Sequence, residues 1–355
     1  MQGYKLLDCN STDEWKSYLE LLPPNQQDIY FTPEFYRLYE LIGDGKACCF
    51  VFMLGDDLAL YPFLKNNINS LGFDLDKKYF DIQGVYGYNG VVSSSLDENF
   101  VNPFHIAFHE FCIEENIIAE FSRFHPLLEN HLFSINHLEV ELNRMTVYLD
   151  LSLDENQIWL NSFSSKNRNM IRKSMKADIS IREAKCQDDY DEFIHIYHET
   201  MSNLNAGEYY YFEESYYDNY FKLINNHQKL FLAEYQGNVI AGAMFMYYHP
   251  YVHYHLAGRK KDFTGLPASN LLLDFAIKEA KQIDYHYFFL GGGNNGLPDN
   301  SLFKFKAGFS RTYKEFYTGK KIHNQEIYDQ TVEQWKQKYP KKKDLYSNML
   351  LKYRA

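Results

Sequence analysis

Apolar and polar positions along this chain recur in two rhythms, one of helical period and one of strand period. Helical spacing runs over Asp13–Leu21, ended by Pro23-Pro24, and over Pro33–Leu41, ended by Gly43. Two apolar runs follow, ACCFVFML and LALYPFLK, joined by Gly55-Asp56-Asp57, which reads as a hairpin. The spacing then predicts a helix over Asn102–Glu115 and strands over Ile118–Phe124 and Thr146–Leu151.

The second half repeats that logic. Asp154 reads as an N-cap with Gln157 as its capping-box partner, opening one helix that carries Ile158, Trp159, Phe163, Met170 and Ile171. Helices are predicted over Asp188–Met201 and Tyr216–Ile224. A hairpin follows, KLFLAEY and VIAGAMFMYY around Gln236-Gly237-Asn238, and then the strand YVHYHLAG. A helix starting at Pro267 to Asn270 should bury Leu272, Ala276, Ala280 and Ile283, ahead of a strand YHYFFLGGG. Each half thus holds two apolar strands about a tight turn, flanked by helices. That is the mark of a duplicated α/β unit or of two ordinary hairpins. From Tyr317 on, the pattern is that of a polar helical tail, with Lys341 to Lys343 as a solvated run.

Length and composition narrow the class. A chain of 355 residues suggests two domains, and 31 Tyr and 28 Phe suit packed cores and stacking clefts. A net charge of −11 argues against DNA or general nucleic-acid binding, so an anionic ligand needs a local basic cluster. Five cysteines without a C-x-x-C motif read as reduced thiols of a cytoplasmic protein. The first residues have neither a basic nor an apolar leader segment. No apolar run approaches the ~20 residues of a membrane span.

Several segments could carry chemistry. FSSKNRNMIRKSMK (163–176) concentrates Lys166, Arg168, Arg172, Lys173 and Lys176 without one acidic residue, an anion clamp or a solvated helix face. LGGGNNGLPDNSLFKFKAGF (290–309) offers Gly291, Gly292, Gly293 and Asn294 as a backbone that a ligand can approach closely. Lys304 and Lys306 follow at i, i+2 and would point the same way on an extended segment, as oxyanion-stabilising ammonium groups or as snorkelling surface lysines. HPYVHYH places His253 and His255 on one strand face beside Tyr254, lining a polar cleft or bonded in the core. With no third ligand at recognisable spacing, no metal is expected. YGYNG (86–90) presents Tyr86 and Tyr88 on a turn, and SRFHP (122–126) ends a strand with Arg123, for a ligand or for local structure. The absence of G-x-S-x-G, H-E-x-x-H and a P-loop leaves direct transfer of a preactivated group.

SSKNRNMIRKSMKADISIREA, then FLAEYQGNVIAGAMF, YHLAG, GLPASNLLLDFAIKEA, FFLGGG and LFKFKAGF, together with YGYNG and FSRFHP, resemble the Fem-type aminoacyltransferases and BioF2-like acetyltransferases of the GNAT superfamily. The resemblance spans most of residues 50–317. It implies an α/β fold of two GNAT-like domains, each a twisted mixed sheet flanked by helices. They would cover 1–150, completed by the helical tail 318–355, and 151–317. It implies an N-acyltransferase of cell-wall or surface-polysaccharide biosynthesis with no tightly bound cofactor. Acyl-CoA or another thioester, or a charged tRNA, would be co-substrate, and a lipid- or nucleotide-linked amino sugar the acceptor. Alternatives are an aminoacyl-tRNA-dependent peptidoglycan-bridge transferase and a non-catalytic glycan- or nucleotide-binding protein. The family's phenylalanine–lysine pair falls on Phe305-Lys306, with Lys306 stabilising charge at the transferred carbonyl and Tyr254 or His255 as candidate base. The usual GNAT pyrophosphate loop is missing before the helix near residue 267. Ser269 and Asn270 at that helix N-terminus remain able to hold a phosphate.

Overall fold

The structure is a computed structural model that describes residues 3–297 and 299–354. The chain forms two compact units, one of residues up to Asn143 together with those from Phe316 onward, the other of Arg144–Glu315.

In the first unit a mixed sheet runs in the spatial order Gly3–Asp8, Lys46–Leu54, Asp57–Asn67, Phe80–Gln83, Ile117–Arg123 and Thr312–Ile322, with Val92–Ser93 paired to Asp57–Asn67. Neighbours are antiparallel except Phe80–Gln83 and Ile117–Arg123, which are parallel and bridged by the helix Glu98–Glu114. Phe50, Phe52, Phe104 and Phe108 fill the core between this helix and the hairpin. A second cluster forms around Trp335 of the helix Gln325–Lys338, packed with Ile118 and Tyr79. The C-terminal segment therefore belongs to the first unit. Arg354 Nε reaches both oxygens of the fully buried Asp81, at 2.8 and 2.7 Å.

In the second unit the order is Glu139–Asp150, Tyr287–Gly291, Tyr251–Arg259, Asn238–Tyr248, Gln228–Tyr235 and Ser180–Glu183. Here too one pair is parallel, Tyr251–Arg259 with Tyr287–Gly291, bridged by the helix Ala268–Gln282. Each unit shows the same succession: a strand, two helices (Thr12–Leu21 and Pro33–Leu41, or Gln187–Asn203 and Glu214–Leu223), a hairpin, a strand, a helix and a parallel strand. The order common to both halves is therefore more than two similar hairpins. The sheets also match in how they close. Each takes its last strand from a distant stretch of chain, Thr312–Ile322 in the first unit and Glu139–Asp150 in the second.

The structure corrects several sequence expectations. The helix opened by Asp154 is interrupted: its capping box forms, but only Glu155–Gln157 is α-helical, and Ile158–Ser162 forms a wider turn. Phe163 is extended, and Ser164 caps a new helix, Ser165–Lys176, by accepting from Asn167 N at 3.2 Å. The break lets Phe163 enter the core against Phe309, with ring centroids 5.3 Å apart. Ile283 is 44% exposed because the helix Ala268–Gln282 ends before it, whereas Leu272, Ala276 and Ala280 are buried as expected. Lys304 and Lys306 lie on a short helix, Ser301–Ala307, not on an extended segment, so their side chains diverge: Lys304 is exposed and Lys306 buried.

The reciprocal Asp154–Gln157 bonds (2.8 and 3.1 Å) satisfy two helix-end donors at an exposed position. Asp154→Ala should lower the stability of the second unit by about 1 kcal/mol, read from the urea midpoint, with no change in the slope of the transition.

Candidate active site

The parallel ladder of the second unit is short. Tyr251, Val252 and His253 pair with Tyr287, Phe288 and Phe289, and the pairing stops there. Tyr251–Arg259 continues past that point and is bulged. Tyr254 pairs with Phe245 and Leu256 with Met244, so His255 is the extra residue. Tyr287–Gly291 instead ends in a left-handed Gly291 (φ +74°), which starts the run Gly291 to Asn294. Beyond the last rung the two strands no longer pair, and Lys306 at the end of the helix Ser301–Ala307 meets Gly292 just past it.

That helix is placed by its flanks. The Asn300 side chain accepts from Phe303 N at 3.0 Å to start it, and Gly308 ends it. Gly308 O accepts from Ser164 N at 2.8 Å, and a side chain at 308 would meet Asn167 at 2.5 Å. Phe305 packs on Phe309 at 5.5 Å within the core of the unit, and Lys306 in the last turn is turned inward. Its Nζ donates to Gly292 O at 2.8 Å and lies 5.7 Å from the centre of the Tyr254 ring.

Burial sets the electrostatics. Lys306 is buried, with 9% of the residue exposed. Desolvation, and secondarily the positive charge of Arg144, lower its pKa to about 7, so the neutral amine is well populated near neutrality. Burial pushes the Tyr254 phenol well above its usual range, leaving it a proton donor only. His255 is lowered to about 3 by burial and by His253, so it stays neutral. It lies 3.1 Å from the Tyr216 hydroxyl and is stacked on Tyr220 with centroids 5.5 Å apart. Of the four candidate catalytic side chains, only the Lys306 amine changes charge near neutral pH.

The basic segment separates into parts. Arg168 donates to the carbonyls of Trp159, Leu160 and Phe163, at 3.1, 3.0 and 2.6 Å, and so closes the turn before its own helix. Arg172 is exposed, 5.4 Å from the Trp159 ring centre, and Lys166 is exposed. Lys173 bonds Gly265 O at 3.3 Å and Ser174 bonds Pro267 O at 2.9 Å. These bonds hold the basic helix against the start of the helix Ala268–Gln282, where Ser269 is half-buried and Asn270 buried. A free helix start beside lysines can hold a phosphate. Gly242 lies inside a ladder, between Leu232 and Gly258, so its amide belongs to the sheet.

In the first unit YGYNG and SRFHP meet. Asn89 N donates to Arg123 O and Arg123 N to Asn89 Oδ1, both at 2.7 Å. The Arg123 guanidinium donates to Val85 O at 2.6 Å, and Tyr88 packs edge-on to Tyr30 and His125, at 5.2 and 5.0 Å. Tyr88 and Arg123 thus share one loop cluster, in which the arginine binds the carbonyl that precedes Tyr86. Arg144, which the sequence reading passed over, joins Lys306 and the glycine run in the second unit. Its Nη1 donates to Gly293 O at 2.7 Å. Nothing in the local sequence marks it, because it sits in a strand more than a hundred residues away.

Residues 162–307 match the family described as "Acetyltransferase (GNAT) domain". No curated protein sequence matches this chain. Among solved structures, the chain is similar to FemX (TM-score 0.69, 13% identity, covering 92% of this chain and 99% of that one). It is also similar to L-PGS from Bacillus licheniformis (TM-score 0.53, 12% identity, 88% and 92%). A third is a tandem GNAT protein from the clavulanic acid biosynthesis pathway (TM-score 0.50, 10% identity, 90% and 98%). At these identities the likeness is one of fold, and it fits the repeated element order of the two units. Among the described residues no helix is long and apolar enough to cross a membrane.

Proposed function

Proceeding from a chain that carries a GNAT acyltransferase domain and a Fem-like fold, we propose that it joins an acyl or aminoacyl group from a thioester or ester to an amine, with Lys306 taking the amine proton. The supporting observation is the Lys306 amine itself: buried just past the end of the parallel ladder, held on Gly292 O, and lowered to about 7. A neutral amine there keeps its hydrogen bond to Gly292 O and offers a lone pair. As the acceptor nitrogen bonds to the carbonyl carbon, its proton passes to Lys306, and the C–S or C–O bond then breaks. A base whose pKa lies near the working pH combines availability with strength. This shifts Lys306 from the charge-stabilising role implied by the resemblance to that of proton acceptor. Phe305 fixes the helix that carries it.

The acceptor in this reading is an amino sugar, lipid- or nucleotide-linked, in cell-wall or surface-polysaccharide synthesis, and the reaction is cytoplasmic. The donor is an acyl thioester such as acyl-CoA, its phosphates resting at Ser269–Asn270 beside Lys173. Charged tRNA is the runner-up, disfavoured by the net charge of −11. Titrating the protein with acyl-CoA and with aminoacyl-tRNA at two salt concentrations separates the readings. Saturable acyl-CoA binding followed by transfer to an amino sugar supports ours. Tight, strongly salt-dependent tRNA binding with transfer supports the second. Binding without turnover of either donor points to a non-catalytic protein.

A further inference from the structure

The glycine run is held by two basic side chains. Lys306 Nζ donates to Gly292 O at 2.8 Å, and Arg144 Nη1 donates to the next carbonyl, Gly293 O, at 2.7 Å. In a planar trans peptide the N–H points opposite to the C=O. Anchoring these carbonyls therefore also aims two successive amides, those of Gly293 and Asn294, away from the side chain that holds each carbonyl. Neither amide has a protein acceptor among the described residues. Where two successive N–H groups face a common side, they form a concavity that binds a negatively charged oxygen. The Arg144 stem also packs on Gly292, where a side chain would come within 3.1 Å of its Cδ. The arrangement thus needs both the glycine and the arginine.

We propose that Arg144 is a positioning residue for the transfer reaction: it fixes the Gly292–Asn294 peptides so that the amides of Gly293 and Asn294 receive the oxygen of the acyl carbonyl. This rests on the acyl-transfer reading above. When the acceptor nitrogen bonds to the carbonyl carbon, the π pair moves onto that oxygen, and the two N–H groups hold its charge. When the C–S or C–O bond breaks, the pair returns and the thiolate or alkoxide leaves. The ligand of this loop is thus the carbonyl oxygen of the donor, and its donors are backbone groups that no side-chain motif reveals.

Arg144→Gln and Arg144→Lys test it with two readouts. The first needs no substrate: labelling of Lys306 by acetic anhydride across pH, followed by mass spectrometry. The second is kcat and KM for transfer. Arg144→Gln should raise the Lys306 midpoint by about one pH unit, since a nearby like charge is removed. It should lower kcat by about 10²-fold, the loss typical of one oxyanion donor, with KM nearly unchanged. Arg144→Lys should restore the midpoint and part of kcat. An unmoved Lys306 midpoint in Arg144→Gln, or a rise in KM with kcat intact, overturns the proposal. Unchanged turnover in Lys306→Ala would instead overturn the base assignment and leave the labelling result standing, so the two failures are distinguishable.

Discussion

Lys306→Met should unfold at a higher temperature than the parent at pH 7 and should have lost acyl transfer. The two effects have one cause. Holding a lysine at about 7 instead of 10.5 corresponds to on the order of 4–5 kcal/mol of preference for the neutral form. The folded state therefore binds fewer protons than the unfolded chain between these values, and stability rises with pH across that window. The burden is greatest at and below pH 7 and fades as pH climbs toward 10.5. Methionine removes it and keeps the volume. Losing the bond to Gly292 O returns about 1 kcal/mol. The net gain should be about 3 kcal/mol at pH 7 and close to zero near pH 10.5, measured by denaturant titration at both. Turnover should fall ~10²–10⁴-fold, the range for a lost general base. A variant that is destabilised at pH 7, or fully active, contradicts this reading.

The second large effect lies in the first unit. Asp81 has no exposed surface, its carboxyl is pushed up by burial, and Arg354 draws it back down. Removing the arginine strands a buried carboxylate beside Tyr353, and a half-broken buried pair is worse than no pair. Because the Arg354 side chain is 19% exposed, the loss for Arg354→Met is put near the lower end of the usual range, about 3 kcal/mol. Adding Asp81→Asn should recover most of it. A double-mutant cycle by thermal unfolding measures the coupling. Additive single effects would show that the pair does not hold the C-terminal segment on its unit.

Much of this architecture is legible in the chain because apolar periodicity is strong where elements are buried. Both hairpins, the helix Ala268–Gln282 and the capping box at Asp154 stand out for that reason. The elements that escape are those with little apolar signal. Gly3–Asp8 and Ser180–Glu183 are edge strands with exposed faces. Thr312–Ile322 carries Lys314, Lys320 and Lys321, and from Tyr317 on it reads as polar helical tail, yet it is a strand that closes a sheet with residues nearly two hundred positions earlier. Pairing across such distances leaves no local mark. The break at Phe163 was missed because Ser164 can cap a helix as well as sit inside one, and only packing against Phe309 decides between them. At the site, the resemblance located Phe305 and Lys306. The state of the amine comes from burial that no spacing encodes, and Arg144 reaches the site from another strand. Arg168 shows the converse: a helix face that suits an anion spends its guanidinium on three carbonyls of its own chain.

Transfer in this chain turns on a lysine that is half-neutral near pH 7. The direct measurement is the pH titration of the Lys306 side chain by carbon-13 NMR in the folded protein, with the resonance assigned from Lys306→Met. A midpoint near 7 is the predicted result. A side chain that stays protonated beyond pH 9 would contradict it and return Lys306 to an ordinary surface-like ammonium.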